Sequence, residues 1–151
     1  MTSEYAINKI NREEINREEV LQMIDTFLLK MYVELSASED SNTKLMEKFG
    51  TDATRLLEEL FEANPKSHLN FNDCEGFLRG RDDKASTAAC AMLYENFNRK
   101  VDALNLWKSV GTNPATESML KEQAARQTVK ILLKTADKQT IFNYAGWVLE
   151  T

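Results

Sequence analysis

Apolar residues recur along this 151-residue chain at the three- and four-residue spacing of amphipathic helices. The clearest helix covers 20–35, and its apolar stripe consists of Val20, Ile24, Phe27, Leu28, Met31 and Leu35. Leu29 and Val33 lie nearly opposite that stripe, so this helix is predicted to be covered on two sides. Breaks between apolar stretches fall mostly beside Asn, Asp, Ser or Thr, which cap helices, and the chain holds only 5 Gly and 2 Pro. The pattern predicts an all-α fold.

The longest predicted element is a central helix over 84–110, which Asp82 or Asp83 caps and Gly111 closes. It has apolar residues on both faces, as is typical of a helix in the middle of a bundle. Around it we expect four further long or medium helices and one or two short ones. The whole chain, 1–151, is predicted to form a single all-α domain, in which 1–12 could be a flexible lead-in.

Two further start signals follow the central helix. Asn113-Pro114 predicts the beginning of one helix, because proline is favoured at the first helical position. The inward face of this helix is predicted to hold Leu120, Ala124, Thr128, Ile131 and Leu132. Asp137 is predicted to cap the last helix. The apolar face of that helix is centred near Ala145 and is predicted to consist of Ile141, Phe142, Ala145, Val148 and Leu149.

Trp147 is predicted to face away from the core. At about 100° per residue it lies roughly 160° from the face centred on Ala145, with Tyr144 at the edge of that face. Tryptophan is enriched at interface hot spots. We therefore predict that a partner or a second copy contacts four residues: Trp147, Tyr144, Leu29 and Val33. The alternative is that a tail or the segment 11–19 folds over Trp147.

Composition places the chain among folded, soluble, cytoplasmic proteins. Hydrophobic residues make up 42% and charged residues 28%, and polar side chains interrupt the longest apolar stretch before it could span a membrane. The first residues lack the apolar core of a secretory signal, and two cysteines, Cys74 and Cys90, do not suggest a disulfide framework.

Charge is unevenly distributed. The net charge of −5 combines an acidic segment 1–63, with 7 Lys+Arg against 14 Asp+Glu, and a slightly basic segment 64–151, with 12 against 10. An acidic front half disfavours a nucleic-acid ligand, because binding of that class is largely electrostatic. A basic or mixed-charge protein partner fits better.

Motifs for metal, cofactor or catalytic chemistry are missing from the sequence. His68 is the only histidine, which leaves no plausible zinc, di-iron or haem ligand set. The segment Asp73-Cys-Glu-Gly76 resembles part of a calcium loop, but Phe71 occupies the position of its first carboxylate. We predict no metal, no cofactor and no catalytic residue, and hence a protein that is not an enzyme.

Arg79 and Arg81 flank a glycine just before the central helix, where two guanidinium groups could bind a carboxylate or phosphate. The favoured alternative is that Asp82 and Asp83 cap the helix and neutralise both arginines.

Three functions are considered. The first is a non-enzymatic protein-interaction module, such as an inhibitor, immunity-type or adaptor subunit. The second is a nucleic-acid-associated helical subunit that uses Arg79, Arg81 and Lys84 together with Arg126, Lys130 and Lys134. The third is a small enzyme with an unrecognised site.

Overall fold

A computed structural model describes residues 2–63 and 69–150, with side chains described for 17–63 and 69–150. This part of the chain contains α-helices and no strands, so the all-α prediction is confirmed. The helices are α1 (Thr2–Ala37), α2 (Glu39–Phe49), α3 (Ala53–Ala63), α4 (Phe71–Arg79), α5 (Lys84–Asn96), α6 (Lys100–Thr112), α7 (Ser118–Leu133) and α8 (Lys138–Leu149). The backbone of α1 is helical from Thr2 through the expected lead-in, while His68 lies outside the described residues.

Helix ends follow the capping residues in the sequence. Asp83 accepts a hydrogen bond from the backbone N–H of Ser86 and caps α5, and Asp137 accepts one from Gln139 and caps α8. Gly50 ends α2 in the left-handed conformation, with φ of 67°, as its position after Phe49 indicates.

The predicted central helix over 84–110 is wrong as a single element, because the chain breaks between α5 and α6. Asn98 adopts φ of 62°, a left-handed conformation that asparagine tolerates better than most residues. Just after it, the Arg99 N–H bonds to the Tyr94 carbonyl at 2.8 Å, which closes the turn. The apolar periodicity continues through the break because α5 and α6 are both buried helices, so it gave no sign of the turn.

Two other helix boundaries also differ from prediction. Pro114 lies in a turn, closed by a bond from the Thr116 N–H to the Asn113 carbonyl, and α7 begins only at Ser118. Gly111 does not terminate α6, which continues to Thr112.

Helix α5 lies in the middle of the bundle, as expected for that part of the predicted central helix. It packs against α1, α3, α4 and α6, and every side chain from Ala88 to Tyr94 is buried. Four of these seven residues are alanine or cysteine, and small side chains allow neighbouring helices to approach closely. The packing then continues through α6, α7 and α8.

Candidate interaction surfaces

Helix α1 has apolar residues on two opposite sides, and the structure buries the side that the sequence pattern did not favour. Leu29 and Val33 are fully buried in the core. Four residues of the opposite side are exposed, and we call them the outer stripe: Val20 (51% exposed), Ile24 (49%), Phe27 (65%) and Met31 (37%). The expectation that Leu29 and Val33 face outward is therefore wrong.

The packing of α1 against α3, α4 and α5 sets this rotation, and polar contacts add to it. Lys30 forms an ion pair with Asp73 of α4 at 2.9 Å, and Glu34 forms one with Arg81 at 3.0 Å. On the buried side, the Thr26 hydroxyl accepts a hydrogen bond from the backbone N–H of Asn70 at 3.1 Å. These contacts hold Leu29 and Val33 against the core and leave the outer stripe in solvent.

The outer stripe is an unusual surface. Single exposed apolar residues are normal on soluble proteins, whereas a contiguous apolar strip marks an interaction site. Met23 and Leu21 of the same helix are also exposed and extend the apolar strip. The periodicity was visible in the sequence, but periodicity alone does not tell an interface stripe from a core stripe.

Trp147 lies in the core, with only 7% of its surface exposed, so its predicted outward orientation is wrong. Its indole ring packs on the backbone of α6 at Gly111, where a β-carbon would lie 2.6 Å from the Cη2 atom of the ring. The buried side of α8 is therefore the side that carries Trp147. As a consequence, Phe142 and Leu149, which were expected to face the core, are exposed.

Tyr144 is half-buried beside Trp147 on α8. Its hydroxyl donates a hydrogen bond to the side-chain carbonyl of Asn105 on α6 at 2.6 Å. This hydrogen bond therefore joins α8 to α6 within the chain. The partner-binding role predicted for Trp147, Tyr144, Leu29 and Val33 stays a prediction, and three of the four are buried.

The guanidinium groups of Arg79 and Arg81 bond to different residues and do not converge on one binding site. Arg79 Nε donates to the Tyr94 hydroxyl at 3.0 Å, and the guanidinium lies over the Tyr94 ring. Burial raises the pKa of Tyr94 to about 12, so its hydroxyl stays neutral and donates in turn to Glu75 at 2.7 Å.

Arg81 contributes to the cap of α5 instead. Its guanidinium bonds to Asp83, Ser86 and Glu34 at 3.0–3.1 Å. Burial alone would raise the pKa of Asp83, but hydrogen bonds from Ser86 and the nearby Arg81 outweigh it and lower that pKa. Anion binding by this arginine pair stays a prediction.

A cavity of about 730 Å³ lies where the N-termini of α2, α3, α5 and α7 meet. Its charged lining residues are Glu39, Asp52, Glu58, Asp82, Asp83 and Glu117, with Arg55, Lys84 and Arg126. Carboxylates near helix N-termini are stabilised by the helix dipoles, so their presence here has a structural explanation. Lys84 and Arg126 each belong to one of the two predicted basic clusters, and both therefore lie among carboxylates.

A second cavity, of about 340 Å³, is lined by Lys130 and Lys134 of α7 with Glu58, Glu62 and Glu95. Burial raises the pKa of Glu95, and the two lysines partly offset this effect. Lys130 and Lys134 of α7 therefore face carboxylates of the same chain.

Groups suited to metal binding do not come together in the described residues. Within 17–63 and 69–150 no cluster of three or more His, Cys, Asp or Glu side chains could hold a metal ion. Cys74 and Cys90 are buried free thiols, and burial raises the pKa of Cys74 to about 11. None of the described helices is long and apolar enough to cross a membrane.

Comparison with known proteins gives one match. The family described as vacuolar sorting protein 39 domain 1 matches residues 24–149, from the middle of α1 to the end of α8. No curated protein and no solved structure shows significant similarity to the chain. Since the match covers most of the sequence, the chain belongs to this family.

Proposed function

We propose that this member of the vacuolar sorting protein 39 domain 1 family is a non-enzymatic, adaptor-type interaction module that acts inside the cell in vacuolar sorting. The family match supports an intracellular role in a sorting assembly. The observation that carries the proposal is the outer stripe of α1, an apolar strip on the face opposite Leu29 and Val33. Its function is to hold another polypeptide.

Energetics favour this use of the surface. Burying one large apolar side chain is worth about 1.5–3 kcal/mol, and the outer stripe offers four that are at least one-third exposed. The C-terminal part of the stripe belongs to a stretch of α1 that Leu29 and Val33 fix on the core, so a partner need not order that part on binding. A preorganised apolar helix face is a common way to bind a second helix.

The two alternative functions have weaker support. The basic clusters at Arg79–Lys84 and Arg126–Lys134 are divided between separate sites and face carboxylates such as Glu34, Asp83 and Glu95. A nucleic acid would have to compete with those carboxylates for the same cations. For an enzyme, the Ser86 hydroxyl that bonds to Asp83 is fully buried in the cap of α5, and both described thiols are buried as well.

The test is affinity capture from the native cell with a double variant, Ile24→Ser with Phe27→Ser. Both residues are about half exposed or more, so the variant is expected to fold and to keep its thermal stability within a few degrees. We expect wild type to retain other vacuolar sorting proteins, identified by mass spectrometry, and the double variant to lose them.

Phe142→Ser is the matched control. Phe142 is 80% exposed on α8, so this change removes an equally large apolar side chain from another surface. Capture should survive in the control. Equal capture by wild type and the double variant would show that the outer stripe is not the docking surface, and capture of no sorting protein at all would refute the proposed role.

A further inference from the structure

The outer stripe has the spacing of a coiled-coil seam. Its members follow one another at intervals of four, three and four residues, which is the alternation of positions a and d in a heptad. The same heptad register extends three residues in each direction, to Arg17 and to Glu34. The seam therefore has an apolar middle and two charged ends of opposite sign.

We infer that the occupant of this seam is α1 of a second copy of the chain, packed antiparallel. In that arrangement Val20 faces Met31 of the other copy, and Ile24 faces Phe27. The charged ends meet as well, so that Arg17 of each copy lies beside Glu34 of the other. This inference rests on the proposed function: it names a second copy as the polypeptide that the stripe holds, and the sorting proteins are then captured by the dimer.

Charge selects the antiparallel direction. A parallel pair in the same register would place Arg17 beside Arg17 and Glu34 beside Glu34, and like charges at a helix interface are destabilising. The antiparallel pair replaces both repulsions with two attractions related by the twofold axis. A partner helix of unrelated sequence would not have to match both ends of the seam in this way.

The seam residues are available for this contact. Arg17 is exposed, and the Glu34 side chain is 63% exposed although its Oε1 accepts a hydrogen bond from Arg81. A carboxylate can accept from more than one guanidinium group, so Glu34 can keep Arg81 and add Arg17 of the second copy.

The contact is short, and this limits its strength. The seam from Arg17 to Glu34 spans about 26 Å at 1.5 Å per residue, less than the length that isolated coiled coils need. The core already holds the C-terminal half of the seam through Leu29 and Val33, which reduces the cost of ordering the helix on dimerisation. We expect a weak dimer in rapid exchange with monomer.

Directed disulfide formation tests the direction. The variants Val20→Cys and Met31→Cys, one of them carrying a size tag, are mixed and oxidised; the native Cys74 and Cys90 are buried and should not interfere. We expect the mixed disulfide between the two variants to form faster than either disulfide between identical chains. Predominance of the identical-chain products would show a parallel pair and overturn the inference.

Charge reversal tests the same contact without crosslinking. By light scattering or sedimentation, Arg17→Glu and Glu34→Arg should each weaken dimerisation at least about fivefold, and the combined double exchange should restore it. The restored double exchange also shows that losing the Arg81–Glu34 pair is not the cause of the weakening. A wild-type protein that stays monomeric at 100 μM, on the order of weak-complex concentrations, would overturn the inference.

The result is separable from the proposed function. If wild type is monomeric while Ile24→Ser with Phe27→Ser loses capture of sorting proteins, the stripe binds a different helix and only the self-association is wrong. If the antiparallel dimer forms but no sorting protein is captured, the self-association stands and the proposed role falls.

Discussion

The indole ring of Trp147 in α8 packs directly on Gly111 in α6. A β-carbon at position 111 would lie 2.6 Å from the Trp147 Cη2 atom and closer still to Cζ3, so only glycine allows the ring to rest there. The sequence pattern predicted neither role, because it assigned Gly111 to a helix end and Trp147 to the surface. The fit of these two residues sets which side of α8 is buried.

Replacing Gly111 with alanine should therefore destabilise the protein. The added methyl group must displace the indole, and overpacking of this kind costs about 1–3 kcal/mol. Urea unfolding measures the loss of free energy. Gly146→Ala is the control, since a β-carbon there has nothing within 4 Å, and that change should be neutral or stabilising by up to about 1 kcal/mol. Equal stabilities of the two variants would contradict the close packing.

Trp147→Ala should lower the free energy of unfolding by about 3–5 kcal/mol, as large-to-small changes in cores do. Trp147→Phe should cost less, because it keeps an aromatic ring and removes an indole N–H that has no hydrogen-bond partner among the described residues. Thermal or urea unfolding distinguishes the two. A loss below about 1 kcal/mol on Trp147→Ala would instead support the original prediction of a surface tryptophan.

Asp83→Ala should make the protein less stable at neutral pH and less sensitive to acid. The pKa of Asp83 is lowered in the folded state, so its contribution to stability is present above the unfolded pKa of about 3.9 and is lost as pH falls through the folded value. We expect a loss of about 0.5–2 kcal/mol at pH 7, as for other N-caps, and a smaller difference from wild type at pH 2.5. Urea unfolding at several pH values checks this, with Asp82→Ala as the neighbouring control. A difference that does not change with pH would contradict the role of the ionised cap.

Cys74 and Cys90 should react slowly with thiol reagents in the folded protein. Burial raises the pKa of Cys74 to about 11, so almost no thiolate is present at pH 8, and access is blocked as well. In denaturant both thiols should react at the rate of free cysteine. Ellman's reagent measures both conditions, and one fast-reacting thiol in the folded state would show that the core opens near it.

Local sequence features determined the helical fold and several details of it. Asp83 and Asp137 cap the helices they were expected to cap, since a capping bond needs only the residue and the N–H groups two or three positions later. The inward face of α7, with Ala124, Thr128 and Ile131, was likewise predicted correctly. The prediction that 1–151 forms one domain remains a prediction.

The candidate interaction surface could be predicted only in part. The sequence placed Val20, Ile24, Phe27 and Met31 on one face of a helix and Leu29 and Val33 on the other, and it indicated that both faces would be covered. Which face meets the core is settled by the packing of α1 against α3, α4 and α5, and by contacts such as the ion pair between Glu34 and Arg81, which are 47 residues apart. Periodicity carries no information about contacts of that range.

The sequence by itself determined that the chain is helical, where several helices are capped, and that α1 and α8 each have more than one possible buried face. Tertiary structure alone decided between those faces, through the packing of α1 against α3, α4 and α5 and through the packing of Trp147 on Gly111 for α8. It also introduced the break at Asn98 between two buried helices. The physical reason is that helix phase is a property of neighbouring residues, whereas burial is settled by the shape and charge of the helices that the chain folds against.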